Sequence, residues 1–445
     1  MEKQKVLFLT VYSFKSLNDG YIFADLVKEF RDAGHDVSVA MAIEGAAKSE
    51  VIADEGITKI KVACGAIQKT SAVKKVLNLR KLDNATKKIL KANFKDKFDL
   101  CVCMVSHCAF YKSAKFIKER DSAFIYNMVK DIFPQNAVDM GMLSKSGLKG
   151  LLYKYFKSKE QKYYSVCDKL GVLSPNAASF IIKDNPTLDA SRVEINPNSI
   201  IPKTKVLSVD ERQAIKDKYN IPNDKTVFAY GGNLGIPQGI DFLLDVIKAN
   251  EKNDNDAFFV IVGDGTQFEK VSAYFSEFNP KKAKLIKRLT TAEFEDLCLS
   301  ADVGLVFLNK AFTVANYPSR TLSYMQARLP VLFAVDAACD AGLIAEQNGY
   351  GYSCISGELD KFMGFVDALA ADKDKRENMG NIAYNYLCDN YSVNVSYNII
   401  AKHMCKSTDA EINTRQDVQI KESVKQENND TTDKNLETLE EKANV

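Results

Sequence analysis

The feature that most constrains this chain is a regular alternation of short apolar segments with segments of helical period. An apolar run at 6–10 is followed by an amphipathic stretch at 21–33. Gly34 ends that stretch, and the next apolar run occupies 37–41. A strand, a helix and a strand in such a short span predict a βαβ unit, because two parallel strands need a crossover connection.

The alternation continues along most of the chain and falls into two series. Later strands are predicted at 100–105, 124–128 and 170–173, and then at 227–230, 258–262, 285–286, 303–308 and 331–334. We therefore predict two tandem Rossmann-like, doubly wound α/β domains, at 1–203 and 204–385, with a cleft between them. A helix at 386–405 is expected to pack back on the first domain. The segment 406–445 contains ten acidic and six basic residues and no aromatic residue, so we expect it to be disordered.

Charge and hydropathy exclude several classes of protein. The 60 basic and 58 acidic residues leave a formal charge of +2, which argues against a bulk nucleic-acid binder. The longest stretch without a charged residue, 226–240, has 15 residues and is interrupted by four glycines and a proline. A membrane-spanning helix needs about 18 or more nearly charge-free residues, so none is predicted. The chain enters a strand-like run almost at once, and no signal peptide is expected.

The cysteines suggest a metal site only at one place. Cys101, Cys103, His107 and Cys108 lie close together in the sequence. However, Cys101 and Cys103 share one face of a predicted strand, and no second pair of ligands follows at a familiar spacing. We therefore expect reduced cysteines in a cytoplasmic protein and no bound metal.

Two glycine-rich turns each follow a predicted strand. The first, Tyr-Gly-Gly-Asn-Leu-Gly-Ile-Pro-Gln-Gly-Ile-Asp at 230–241, precedes an apolar helix, and the second is Val-Gly-Asp-Gly at 262–265. Such turns bring backbone N–H groups close to a ligand phosphate. Either one alone is equally typical of a tight turn without a ligand. Two of them at the carboxyl ends of neighbouring parallel strands point into one crevice and predict nucleotide binding.

A third segment with functional character, 316–327, follows the predicted strand at 303–308. Pro318 is expected at the first helical position, and Ser319 is expected to hydrogen-bond the free amides of that turn. Arg320 is then placed to contact a diphosphate at the helix end. The alternative is an ordinary capped helix with an exposed arginine.

Together these segments resemble the carboxyl-terminal domain of glycosyltransferase family 4, which has the GT-B fold. The similarity is carried by 227–241, 263–265, 301–306 and 318–330, and it is greatest to bacterial O-antigen and capsule polysaccharide transferases of the fucosaminyl and N-acetylglucosaminyl type. Those members share the patterns G-N-x-G-x-x-Q-G and P-S-[K/R]-x-x-x-Y-M. In the first domain, Lys-Asp-Ile-Phe-Pro at 130–134 resembles their Asp-x-[W/F]-P segment.

The resemblance implies a retaining, metal-independent transfer of a sugar from a nucleotide-diphosphate-sugar, with UDP the expected nucleotide, to a glycan acceptor. No cofactor is implied beyond this donor. The residues implied at the donor are Gly232, Asn233, Gly235, Gln238, Gly239, Gly263, Asp264, Gly265, Arg288, Pro318, Ser319, Arg320 and Ser323. Arg320 would replace a metal ion electrostatically. Asp131 and His107, which follow strands of the first domain, are implied as catalytic or acceptor-binding residues, although a lone histidine is often structural.

The chain departs from the family pattern at two places. The usual glutamate pair would fall at Ala315 and Ser323, and the usual phosphate-binding Arg and Lys would fall at Asn233 and Gln238. These changes leave open a catalytically silent GT-B subunit that acts as a binding or scaffold partner. A sugar-nucleotide epimerase on the same fold is a further alternative, but its acidic groups are not evident.

Two segments of the first domain are strongly basic. The segment 71–97 has nine basic residues and two aspartates, and 144–164 has six lysines and one glutamate. In the second segment an apolar helical stripe lies beside lysines; its members are Leu148, Leu151, Leu152, Tyr155 and Phe156, with Lys149, Lys154 and Lys157. This pattern predicts peripheral binding to the anionic inner face of the cell membrane, where a polyprenyl-linked acceptor would lie. The alternative is a core-facing stripe with solvated lysines.

Overall fold

The computed structural model describes residues 2–404, apart from Tyr21, 68–69, Ser71 and 105–108. The expectations for His107, Cys108 and the 406–445 tail therefore lie outside the described residues. Within the described part, the chain forms two α/β domains, each built on a largely parallel sheet with helices on both faces. The predicted fold class, the GT-B arrangement of two Rossmann-like domains, is confirmed.

The first domain is built on an eight-stranded sheet with the order β3-β4-β2-β1-β5-β6-β7-β8. Its strands are β1 (Lys5–Thr10), β2 (Asp36–Glu44), β3 (Glu50–Asp54), β4 (Ile57–Cys64), β5 (Leu100–Met104), β6 (Phe124–Val129), β7 (Lys169–Val172) and β8 (Val193–Ile195). Its α-helices are α1 (Ile22–Asp32), α2 (Ala72–Asn93), α3 (Tyr111–Asp121), α4 (Gln135–Asp139), α5 (Gly147–Val166) and α6 (Pro175–Asp184). All neighbouring strands are parallel except β3 and β4.

The hairpin of β3 and β4 was not predicted from the sequence. β3 lies at the sheet edge and is mostly exposed, so it lacks the apolar alternation that identifies a half-buried strand. Its glutamate and aspartate are typical of an edge strand that must not pair with other chains. By contrast, β1 and β5 are buried on both faces and read as continuous apolar runs, which is why they were predicted correctly.

The second domain is built on a six-stranded parallel sheet with the order β11-β10-β9-β12-β13-β14. Its strands are β9 (Thr226–Asn233), β10 (Ala257–Asp264), β11 (Ala283–Lys287), β12 (Val303–Phe307), β13 (Val331–Val335) and β14 (Gly351–Ile355). Its α-helices are α7 (Val209–Lys218), α8 (Ile240–Asn250), α9 (Phe268–Phe278), α10 (Thr291–Ser300), α11 (Arg320–Gln326), α12 (Ala341–Gln347), α13 (Leu359–Ala371) and α14 (Lys373–Asn390). The strand order reverses between β9 and β12, and ligands bind open α/β sheets at such a point.

The carboxyl-terminal helix of the described chain returns to the first domain. α14 belongs to the second domain and runs past residue 385, so the predicted boundary falls inside a helix. The chain crosses back where Ile200 and Ser392 form a parallel β-bridge. α15 (Val393–Ala401) then packs on α1, and Tyr397 contacts His35 with a hydrogen bond of 2.9 Å.

The two domains also meet through the loop that follows β12. Phe312, Val314 and Ala315 of this loop are buried in the hydrophobic core of the first domain. Asp139 of α4 accepts a hydrogen bond of 2.8 Å from the backbone N–H of Thr313. In a similar contact, Asp340 of the second domain accepts a hydrogen bond from the N–H of Asn176 in α6 of the first domain. These contacts hold the two sides of the cleft in place.

Candidate functional site

A cavity of about 320 Å³ lies at the carboxyl edge of the second sheet, where the strand order reverses. Its walls come from the last residues of β9 and β10, from the β11–α10 connection and from the start of α11. The lining residues include Gly231, Gly232, Asn233, Gly263, Asp264, Arg288, Thr290, Thr291, Phe294 and Arg320. Six residues predicted at the donor from the sequence therefore meet in one cavity: Gly232, Asn233, Gly263, Asp264, Arg288 and Arg320.

Glycine is required here mainly because chain segments approach closely. A Cβ on Gly231 would lie 2.0 Å from the ring of Phe294, and one on Gly263 would lie 2.3 Å from the carbonyl oxygen of Gly232. The N–H of Gly231 donates to the Tyr324 hydroxyl at 2.9 Å, which fixes the turn after β9. At Gly232 the nearest atom to a Cβ would be the Tyr230 hydroxyl oxygen at 3.4 Å, an ordinary van der Waals contact, so this position is less crowded.

Two arginine residues line this cavity. Within the described residues, neither Arg288 nor Arg320 forms an ion pair or a hydrogen bond through its guanidinium. The Arg320 guanidinium lies 4.6 Å from the centre of the Phe294 ring, a cation–π contact that orients it. Two uncompensated guanidinium groups beside backbone turns favour a ligand with at least two negative charges, such as a diphosphate.

The remaining glycine-turn residues line neither this cavity nor the neighbouring one described below. Gln238 accepts a hydrogen bond of 2.8 Å from the Asn233 side chain, so the two side chains bind each other. Gly239 has a φ of +56° and precedes α8, where a side chain would be strained. Gly235 and Gly265 pack against Asn233 and the Leu234 backbone. These four residues shape the turns that carry Gly232 and Asn233.

The start of α11 differs from the prediction. The helix begins at Arg320, so Pro318 precedes the cap position instead of occupying the first helical position. The side chain of Ser319 makes no capping hydrogen bond. Instead, the carbonyl oxygens of Pro318 and Ser319 accept from the N–H groups of Thr321 and Leu322 at 3.1 and 3.2 Å. A tight turn thus replaces the expected side-chain cap, and it leaves the Ser319 hydroxyl facing a second cavity.

The second cavity, of about 380 Å³, adjoins the first and lies between the domains. Thr291, Phe294 and Arg320 line both cavities. Its other polar lining residues are Asn18 and Asp25 of the first domain, Lys203 of the linker (196–208, between β8 and α7), and Glu295, Ser319, Ser323 and Gln326 of the second domain. Of these, only Ser319 and Ser323 were predicted from the sequence, and the two cavities together form one cleft.

The sequence reasoning missed the contribution of α10. This helix begins with a capping box in which Thr290 and Glu293 bind each other's backbone N–H groups. The pattern T-T-A-E is readable in the sequence, and it would have placed a helix start directly after β11. It positions Thr290, Thr291 and Phe294 on the cavity wall.

On the first domain, Lys130 and Asp131 follow β6 at its carboxyl end. The Lys130 ammonium is buried and has no hydrogen-bond partner among the described residues. Burial lowers its pKa from 10.5 to about 7, with Asp131 opposing the shift. Asp131 also acts on Tyr12, whose pKa is raised by burial first and by the Asp131 charge second. Asp131 therefore lies beside residues whose titration is perturbed, as functional sites often require.

The apolar stripe of α5 is exposed to solvent. Leu148 is 88% exposed and Leu151 is 66% exposed, while Leu152 and Tyr155 are also exposed. The alternative of a core-facing stripe is therefore wrong for these four residues. Lys149 and Lys154 flank the stripe on the surface.

Two members of the predicted surface face inward. Lys157 forms ion pairs with Glu160 and Asp184, because Glu160 is buried and needs a cation. Phe156 is half-buried, and its ring lies 4.9 Å from that of Phe133. The exposed surface of α5 is therefore smaller than predicted and excludes Lys157.

Among the described residues, no three or more His, Cys, Asp or Glu side chains are grouped so that they could hold a metal ion. The same part of the chain contains no helix with the length and hydropathy needed to cross a bilayer.

Comparisons with known proteins agree with this geometry. Residues 211–386 match the family described as Glycosyl transferases group 1. The probable glycosyltransferase WbjE of Pseudomonas aeruginosa is 27% identical over 273 residues, which are 60% of this chain and 65% of that protein. The match thus spans slightly less than two thirds of the relative's length. The family match covers most of the second domain, and the described part of the chain has the GT-B architecture.

Solved structures extend the likeness of fold to both domains. Sucrose-phosphate synthase from Thermosynechococcus elongatus superposes with a TM-score of 0.70 at 12% identity, over 90% of this chain and 98% of that chain. WaaG, a glycosyltransferase involved in lipopolysaccharide biosynthesis, gives 0.63 at 14% identity, over 89% and 99%. Anabaena Alr3699/HepE in complex with UDP-glucose gives 0.63 at 13% identity, over 90% and 99%.

We expect Lys130→Met to stabilise the protein, because it removes a buried ammonium that has no partner. The pKa of Lys130 is lower in the folded state, so the destabilisation is complete below pH 7 and declines as pH rises towards 10.5. The melting temperature should therefore rise by about 3 °C or more at pH 7, and the gain should shrink by pH 10.

Lys59→Met is the matched control for this measurement. The side chain of Lys59 is also buried, but its ammonium is paired with Asp54 and Glu55 at 2.7 Å each, so its replacement should lower the melting temperature. An unchanged or lower melting temperature for Lys130→Met would mean that the surroundings of Lys130 already compensate its charge.

Proposed function

We propose that this protein is a glycosyltransferase that moves a sugar from a nucleotide-diphosphate-sugar to a glycan acceptor. The observation that supports this most strongly is the cavity at the reversal of the second sheet, lined by Arg288 and Arg320, whose guanidinium groups form no ion pair or hydrogen bond with any described residue. The match of residues 211–386 to a glycosyltransferase family adds support. UDP is the nucleotide we propose, since structures of similar fold have been solved with UDP-glucose and with UDP-2-fluoro glucose.

In the proposed mechanism the donor diphosphate lies against Gly232 and Asn233 and is neutralised by the two arginines. Negative charge grows on the diphosphate as the glycosidic bond breaks, and Arg320 stabilises that charge in the transition state. This assigns to arginine the role that a divalent cation plays in other transferases, so we propose transfer without a metal. Retention of the anomeric configuration is part of the proposal and rests on the resemblance of the motifs.

We propose that the acceptor binds to the first domain near Asp131. Asp131 lies between β6 and α4, and α4 contacts the second domain through Asp139. The Asp131 carboxylate would orient the acceptor hydroxyl or take its proton. The 105–108 segment, which contains His107, also follows a first-domain strand. The role of His107 stays a prediction.

We further propose that the acceptor is lipid-linked and that the protein works on the inner face of the cell membrane. The exposed apolar side chains of α5, with Lys149 and Lys154 beside them, support this. Apolar side chains insert shallowly into a bilayer, and each nearby lysine adds about 1 kcal/mol on an anionic surface. The alternative of a silent scaffold subunit receives no support from the comparisons.

The first test of the donor site is Arg320→Ala. We expect it to weaken UDP binding by about tenfold or more, because a hydrogen bond between charged groups contributes about 1.5–3 kcal/mol. Isothermal titration in excess EDTA measures this and also tests binding without a metal. Arg328→Ala is the control, since Arg328 follows the other end of α11 and stacks on Tyr384. Equal affinity of the Arg320 variant and the parent, or UDP binding only after Mg²⁺ is added, would refute this part of the mechanism.

The membrane proposal is tested by sedimentation with liposomes. The protein should co-sediment with anionic vesicles more than with neutral ones, and less as salt rises, because charge attraction is screened within about 8 Å at physiological ionic strength. Leu148→Ser with Leu151→Ser should abolish binding, and Lys149→Glu with Lys154→Glu should do the same. Lys373→Glu, on exposed α14 of the second domain, should have no effect. Equal or absent binding to both kinds of vesicle would indicate a soluble acceptor.

A further inference from the structure

The second cavity contains an acidic group that the proposed mechanism does not yet use. Glu295 of α10 lies on its wall, next to Phe294 and within the same cleft as Arg320. An acidic side chain so close to a diphosphate site weakens phosphate binding by repulsion. At Glu295 the ammonium of Lys203 offsets this repulsion, because it pairs with the carboxylate.

The Glu295 carboxylate is held in place by the linker between the domains. Lys203 donates to both of its oxygens, at 2.9 and 2.7 Å. The backbone N–H of Lys203 in turn donates to the side-chain oxygen of Gln326 at 3.2 Å. A carboxylate has about four acceptor positions, so Glu295 retains acceptor capacity towards the cavity. The pair with Lys203 orients the group without saturating it.

The surroundings of Glu295 suit hydroxyl groups better than any other ligand group. A hydroxyl both donates and accepts a hydrogen bond. Glu295 supplies acceptors, whereas the Gln326 amide and the Ser323 hydroxyl supply donors on the same wall. Phe23 and Leu322 add apolar surface, against which the C–H face of a sugar ring can pack.

We propose that Glu295, oriented by Lys203, binds a vicinal diol of the donor. This inference rests on the proposed function, because it takes the diphosphate to lie at Arg320, which lines both cavities. A nucleotide-sugar carries a vicinal diol on each side of its diphosphate, one on the ribose and one on the transferred sugar. Both present the same chemistry to the carboxylate, and the experiment below distinguishes them.

The experiment is isothermal titration of the full-length protein and of Glu295→Ala with UDP, 2′-deoxy-UDP and UDP-glucose. Removal of the carboxylate also relieves repulsion of the diphosphate, but it does so equally for all three probes. The ratios of the dissociation constants therefore isolate the diol. If the ribose is bound, the parent should prefer UDP over 2′-deoxy-UDP by about tenfold, equivalent to about 1.4 kcal/mol, and Glu295→Ala should lose this preference. If the transferred sugar is bound, Glu295→Ala should instead weaken the binding of UDP-glucose about tenfold more than it weakens the binding of UDP.

Asp296→Ala provides a matched control. Asp296 is the next residue of α10 and pairs with Lys205 of the linker at 2.6 Å, yet it lines neither cavity. It should leave all three ratios unchanged. If Glu295→Ala also leaves both ratios within about twofold of the parent, the inference is wrong although the proposed function stands. If the parent binds none of the probes, the donor assignment itself has failed.

Discussion

The cleft depends on the parallel order of the second sheet, in which β9 lies between β10 and β12. Because the strands are parallel, the turns after β9, β10 and β11 all emerge at one edge. Close packing then sets their positions: Gly231 lies against Phe294, and Gly263 lies against the backbone of Gly232. With these contacts in place, Arg320 lines the cavity beside the Phe294 ring and forms no ion pair with a described residue, so its charge is available to a ligand.

A second constraint is the contact between the domains. The loop after β12 buries Phe312 and Val314 in the core of the first domain, while Asp139 binds Thr313. The linker is attached to both walls of the cleft, since Asp25 accepts from the N–H of Ile201 and Lys203 binds Glu295. A ligand in the second cavity thus touches both domains and the linker at once, which would couple donor binding to the relative position of the domains.

The sequence predicted what is local and repetitive. The strands of both sheets carry apolar runs, and Gly232 and Gly263 lie at the carboxyl ends of two of them, so the place of the first cavity in the fold was predictable from the sequence. Contacts between distant segments were not predictable in this way. The position of Glu295 in α10 does not indicate its pairing with Lys203, which is distant in the sequence. Likewise, the sequence around Lys157 is typical of a surface lysine, whereas in the fold Lys157 pairs with Glu160 and Asp184.

The partial predictions at α11 and α5 have similar causes. Pro318 and Ser319 have the composition of a helix start, but a tight turn delays the helix to Arg320. The stripe of α5 was recognised by its period, whereas its exposure depends on which neighbours cover it. Periodicity identifies an apolar face, and only the tertiary structure shows whether that face is buried.

The central claim is that a nucleotide diphosphate binds where β9 and β12 lie side by side. A crystal structure of the protein with UDP tests it most directly. The account predicts the diphosphate within hydrogen-bond distance of the Arg320 guanidinium and against Gly232, with the rest of the ligand extending along the cleft past Phe294. A UDP molecule bound elsewhere, or one whose diphosphate lies away from Arg320, would contradict it.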